Sequence, residues 1–166
     1  MKTLKFLGLC GLAFVIASCG GNSTKEKEAE AQAANEAFLA EQPVESGVYD
    51  ATYFDIKGKD PRKGQFDGRV IYSLSPEQSA IFVYENGNRT KIKHILMLDK
   101  PFEKKDSVYV AMDKTGISVT VGSDSTSMYI DYIAKGDTVT VTFDPKPRNV
   151  YTPLEALEKI KEQSSK

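Results

Sequence analysis

Thr138-Val139-Thr140-Val141-Thr142-Phe143 alternates polar and apolar residues without a break. Strict alternation has a period of two. It puts every valine on one side of an extended chain and every threonine on the other, which a helix of period 3.6 cannot do. The stretch reads as a strand with one dry and one wet face, the habit of antiparallel sheets. The same pattern recurs upstream. Val70, Tyr72 and Leu74 alternate with Arg69, Ile71 and Ser73. Ala80, Phe82 and Tyr84 share a face, as do Ile92, His94, Leu96 and Leu98. Val108, Val110 and Met112 lead to Ile117, Val119 and Val121, and Met128, Ile130 and Tyr132 alternate with Tyr129, Asp131 and Ile133. With Val48 to Ile56 this makes about eight short strands.

The gaps between them carry turn chemistry. Asn86-Gly87 is a strong hairpin signal, because type I′ turns need positive φ at both central residues. Ser75-Pro76, Thr115-Gly116, Gly122 to Ser125 and Lys135-Gly136-Asp137 are further turns. Pro101 to Lys105 reads as a polar break. Few gaps leave room for a crossover helix, so neighbours are expected to pair antiparallel in one meander. After Pro145-Lys146-Pro147, Thr152-Pro153-Leu154-Glu155 opens a helix over 153–163: Thr152 caps, Pro153 suits the first position and Glu155 completes a capping box. Leu154, Leu157 and Ile160 form its apolar stripe, expected to close one end of the sheet or cover an edge.

These elements predict an all-β fold: a small barrel or flattened sandwich with a C-terminal helix and a partly helical N-terminal tether. Closure removes the exposed edges that invite aggregation. Tyr72, Phe82, Leu96, Met112, Tyr132 and Phe143 are candidates to fill the interior. In strand count and connection length the layout resembles lipocalin-like barrels. The Gly-x-Trp motif of many lipocalins is absent, since the chain has no tryptophan.

The N-terminus has a different grammar. Met1 to Lys5 carries two lysines and no acid, and Phe6 to Ile16 is almost wholly apolar. Small residues follow, as in a secretory signal peptide. The apolar run is shorter than the ~20 residues a membrane span needs. Ile16-Ala17-Ser18-Cys19 resembles the lipobox of bacterial lipoproteins. That resemblance implies removal of residues 1–18, a diacylglycerol on the sulfur of Cys19 and an acyl chain on its amine. Cys10 follows the bulky Leu9 and falls in the part removed, so a disulfide is not expected. Gly20 stands where an inner-membrane lipoprotein carries Asp, which implies the outer membrane of the cell envelope, with the leaflet undecided. Residues 19–42 then read as a lipidated tether. Ser23 and Glu26 match a capping box, and Thr24 to Glu41 is dense in helix formers. Its large apolar residues, Phe38 and Leu39, leave the alternative of a helix docked through them. Residues 43–166 form the β domain.

Removing Lys2 and Lys5 leaves 20 basic residues against 23 acidic, a net charge of about −3. That argues against a nucleic-acid partner. His94 is the sole histidine, on the same face as Ile92 and Leu96. It reads as a neutral packed histidine, with no second His or Cys to share a metal and no calcium-loop pattern. No catalytic residue, metal or cofactor is expected. The aspartates sit mostly at strand ends and turns, Asp131 being the mid-strand exception. Lys57, Lys59, Arg62 and Lys63 make a basic loop. Tyr49, Tyr53, Tyr72, Tyr84 and Tyr132 are the candidate ligand-facing residues, since Tyr offers an apolar ring with a polar tip. Asp106-Ser107-Val108, Asp124-Ser125-Thr126 and Asp137-Thr138-Val139 resemble an O-glycosylation motif of exported proteins in some bacteria, which implies modification of Ser107, Ser125 and Thr138.

The functional expectation is a membrane-anchored, non-enzymatic binding protein for a small apolar or glycan-like ligand at the barrel mouth. The alternative is a protein-interaction or envelope-assembly accessory with a fully packed core. A third reading, a hydrolase of surface glycans, finds no nucleophile in the sequence. A cavity of at least ~300 Å³ separates the first two.

Overall fold

A computed structural model describes residues 23–59, 66–87 and 92–166, with side chains of the first helix from Lys27 onward. The signal segment, Cys19, Asp60, Arg62 and Lys63 lie outside the described residues, as do the capping side chains of Ser23 and Glu26. The described chain is mostly antiparallel β. It runs α1 (Ser23–Ala40), β1 (Gly47–Ile56), β2 (Gly68–Ser73), β3 (Ser79–Glu85), β4 (Lys93–Leu98) and β5 (Glu103–Lys105). It continues through β6 (Val108–Met112), β7 (Ser118–Ser123), β8 (Met128–Ala134), β9 (Asp137–Phe143), β10 (Asn149–Val150) and α2 (Pro153–Ser164).

One curled half-barrel sheet holds all the strands, in the order β4-β3-β2-β1-β9-β8-β7-β6-β5, with β10 also on β1. The expected meander is present as two runs, β1 to β4 and β5 to β9, joined where β1 meets β9. Strand β1 serves both runs. Its first half pairs β2 from Gly47↔Tyr72 to Ala51↔Gly68, and its second half pairs β9 from Tyr53↔Thr142 to Ile56↔Val139. A register shift between Ala51 and Tyr53 lets the strand bend from one partner to the other. One edge of the sheet, β4, touches the other end of the sheet just beyond β6, at the bridge Leu98↔Asp113. There the Asp99 N–H donates to the Met112 carbonyl (2.8 Å) and the Lys114 N–H to the Met97 carbonyl (2.8 Å).

Two apolar layers result. The concave side buries Tyr49, Phe54, Tyr72, Val121, Ile130, Tyr132, Val141 and Phe143. The convex side of β1 to β3 carries Ile71, Ala80 and Phe82, which α2 covers with Ala156 and Ile160. Helix α2 therefore lies across a sheet face, neither closing an end nor covering an edge as the sequence suggested. The reason is that β2 and β3 are apolar on both faces. The capping box is formed: Thr152 Oγ1 accepts from the Glu155 N–H (3.3 Å), and Glu155 Oε2 accepts from the Thr152 N–H (2.9 Å). The stripe is shifted. Leu154 is 66% exposed, and Ala156, Leu157 and Ile160 make the contacts.

Three further expectations are corrected. Phe82 sits in the outer layer, and Met112 is 52% exposed because β6 turns Tyr109 and Ala111 inward instead. The polar break contains β5, paired to β6 from Glu103↔Val110 to Lys105↔Val108. All three β5 residues are exposed, so it leaves no alternation to read. Helix α1 is continuous, exposed from Lys27 to Ala34, and at its end Phe38 and Leu39 pack against the inner core.

Candidate functional site

Concave residues of neighbouring and of facing strands meet ring to ring. Tyr49 packs edge-on against Tyr72 and Phe143, with centroids 5.6 and 5.5 Å apart, and Tyr72 lies 5.7 Å from Phe143. Toward the other end, Phe54 lies 5.1 Å from Phe66 and 6.3 Å from His94. Such tilted and edge-to-face pairs are the favoured aromatic geometries. The space that a barrel of this size encloses is taken by the protein's own side chains.

The polar atoms in this interior form a short series. The Tyr49 hydroxyl donates to the Glu45 carbonyl (3.0 Å). Tyr132 Oη lies 2.8 Å from His94 Nδ1. The Tyr72 hydroxyl, fully buried, has no hydrogen-bond partner among the described residues. Burial, reinforced by Glu45, pushes the Tyr49 phenol up to about 12. Burial also raises Tyr132, and it raises Tyr72, with help from the neighbouring Tyr49 and Tyr132. Burial lowers the His94 pKa, and the charge of Lys135 lowers it further. These phenols stay neutral at physiological pH, and His94 is biased toward the neutral imidazole.

The five candidate tyrosines do not share a surface. Tyr49, Tyr72 and Tyr132 are core residues. Tyr84 stacks on Phe82 on the convex side (5.0 Å, 18°) next to α2, and Tyr53 is half-buried on the convex side of β1. Burial raises the Tyr84 pKa against the opposing pull of Arg69. Grooves lie outside the half-barrel. One of about 560 Å³ runs between α1, β10 and α2, lined by Leu39, Ser46, Val150, Tyr151 and Pro153. Another of about 440 Å³ lies where the β3–β4 hairpin faces the end of α2, beside Tyr84, Asn86, Lys93 and Gln163.

Ser107, Ser125 and Thr138 are all exposed at turn-to-strand junctions. Each preceding aspartate has local structural work there. Asp106 has a positive φ of 55°, and Asp124 Oδ1 accepts from the N–H groups of Thr126 (2.9 Å) and Ser127 (2.8 Å). Asp137 pairs with Lys59 at 2.7 Å.

A surface with no counterpart among the residues singled out from the sequence is the convex side of β6 to β9, which neither α1 nor α2 covers. Register places its residues in rows across the strands. One row runs Val108, Gly122, Tyr129, Thr142, Tyr53. The next runs Val110, Thr120, Asp131, Thr140, Asp55. The Tyr129 ring covers Gly122, with its Oη and Cζ where a Cβ would stand. The Thr140 hydroxyl donates to Asp131 Oδ1 at 2.6 Å. The signal that finds these rows is in the sequence: Lys135-Gly136 is a two-residue hairpin turn, and it fixes Asp131 opposite Thr140.

Among the described residues no group of three or more His, Cys, Asp or Glu is arranged to hold a metal, and no helix is long and apolar enough to cross a membrane. Comparison with known protein families, curated proteins and solved structures finds no match.

Proposed function

We propose that this chain is a lipid-anchored protein of the bacterial cell envelope that works by binding, not catalysis, and binds through the outside of its half-barrel. The anchor is Cys19, read from Ile16-Ala17-Ser18-Cys19 and the apolar segment before it. Helix α1, eighteen residues long and exposed over most of its length, spaces the β domain from that anchor by about 27 Å at 1.5 Å per residue. The observation that carries the outer-surface reading is the filled interior: Tyr49, Tyr72, Phe54, Tyr132 and Phe143 are each at most 1% exposed. The lone histidine is engaged with Tyr132 and packed on Phe54, an arrangement that serves packing.

The test is fractionation and intact native mass spectrometry of the full chain expressed in a bacterium with two membranes. The expected result is an outer-membrane protein whose mass is that of the triacylated chain from Cys19, and a Cys19→Ala variant that leaves the membrane fraction. A wild-type chain recovered without lipid sinks the anchor. A reproducible non-covalent mass that Tyr72→Trp or Tyr132→Trp removes sinks the outer-surface reading and restores an interior ligand. The small-ligand alternative is favoured by the apolar lining of the 560 Å³ groove at Leu39, Val150, Tyr151 and Pro153, a volume in the range of small-molecule sites.

A further inference from the structure

The convex face of β7, β8 and β9 combines three features that packing does not require together. The first is an aromatic ring held against the sheet. Tyr129 covers Gly122 with its Oη, Cζ and Cε1, so the ring reaches across to β7 along the sheet, and the residue is half-buried, leaving part of it to solvent. The second is a carboxylate two residues along the same strand. Asp131 gives Oδ1 to the Thr140 hydroxyl at 2.6 Å, and its other oxygen takes no hydrogen bond from the described residues. The third is a hydroxyl array: Thr120, Thr140 and Thr142 stand at neighbouring register positions around these two groups. Adjacent strands lie about 4.8 Å apart, so the ring, the carboxylate and the hydroxyls fall within roughly 10 Å of one another on one face.

Charge narrows the ligand class. The outward positions of β6 to β9 hold Asp131 and no lysine or arginine. Such a surface offers phosphates, sulfated or uronic polymers and anionic lipid headgroups no cation on these four strands; the nearest in register is Lys105 of β5, beside Val108. A protein partner would want a central apolar or aromatic anchor desolvated by its surroundings. Here the exposed apolar side chains, Ile133 and Met112, stand at the far end of the face from Tyr129. A sugar ring offers one C–H face to lie on an aromatic plane and a rim of hydroxyls to bridge carboxylate and threonine oxygens. A ring of amphipathic character, flat and pre-placed, serves that contact at low entropic cost.

We propose that this face is a binding platform for a neutral glycan, with Tyr129 as the stacking surface and Asp131, Thr140 and Thr142 as the hydrogen-bonding rim. It rests on the outer-surface binding reading above. The platform is shallow, so affinity per sugar is low, and neutral chains of several units are the natural ligands.

The test is isothermal titration of the full chain in detergent with cello-, malto-, xylo- and mannohexaose, with heparin as the anionic control. Binding of at least one neutral hexasaccharide and none of heparin is expected. Tyr129→Ala should weaken it about tenfold, whereas Tyr129→Phe, which keeps the ring, should stay within about threefold. Should Tyr129→Ala fail to fold, Asp131→Asn takes its place, with a several-fold loss expected. Failure of all four sugars to bind, or equal binding by wild type and Tyr129→Ala, overturns the platform. Membrane fractionation and the mass of the lipidated chain are untouched by either result, so the wider reading stands or falls separately.

Discussion

Tyr72 is the residue whose energetics are easiest to test. Its hydroxyl is fully buried with no partner among the described residues, and an unpaired buried hydroxyl costs roughly 1–3 kcal/mol. Tyr72→Phe removes that cost while keeping the ring against Tyr49 and Phe143. We expect it to raise the unfolding free energy by about 1 kcal/mol in urea titrations; a loss would mean the hydroxyl has a partner. His94 makes a prediction in pH. Its folded pKa is lowered from 6.5, chiefly by burial. Above 6.5 neither state holds the proton. Below it the unfolded chain binds the proton first, so the stability present above 6.5 is lost as pH falls through the depressed folded value. Urea midpoints measured from pH 8 to 5 should drop over that window in the wild type and less in His94→Gln. Neither residue's role was legible from spacing alone. Alternation put Tyr72 and His94 on inward faces, but their neighbours come from strands far away in the chain, and only the curl of the sheet brings Tyr132 to His94.

Helix α2 shows what local chemistry settles by itself. Thr152, Pro153 and Glu155 are contiguous, so their capping geometry was readable residue by residue, and the helix begins where they place it. The face it buries was not, because Leu154 in the first turn and Ala156 in the next compete for the same stripe. The outer layer of β2 and β3 decides for Ala156. Ile160→Ala, with 3% exposure in the wild type, should cost about 2–4 kcal/mol, and Leu154→Ala less than about 0.5 kcal/mol. Equal effects in thermal melts would place the helix differently. Thr152→Ala should cost about 1 kcal/mol through the lost cap. In the β elements the eight strands expected are all present, the cleanest period of two being that of β9, whereas β2 and β3 are apolar on both faces and hid the seat of α2. Strand β5 escaped notice because Glu103-Lys104-Lys105 has no apolar face to betray it.

The whole molecule depends on one pin. Asp113 joins the two ends of the sheet and is buried, its Oδ1 accepting from the N–H groups of Thr115 (2.9 Å) and Ile117 (2.8 Å) and from the Thr115 hydroxyl (2.7 Å). Asp113→Ala strands those donors and should cost about 1–3 kcal/mol. Amide hydrogen exchange should then speed up at Asp99 and Lys114, whose bonds flank the bridge, before it does so in β8 and β9. Uniform acceleration would mean the pin is no more local than any other turn. Strand β1, by contrast, distributes its pairing between β2 and β9, and that has a meaning in time as well as in space. Ala51 finds its neighbour Phe143 only after some ninety residues more have been made. Until then the second half of β1 has no lasting partner. The last long strand to be made is thus the one that joins the two runs of the sheet, and such distant pairings are formed slowly. A chain stopped short of β9 would have every early hairpin and still not be this protein.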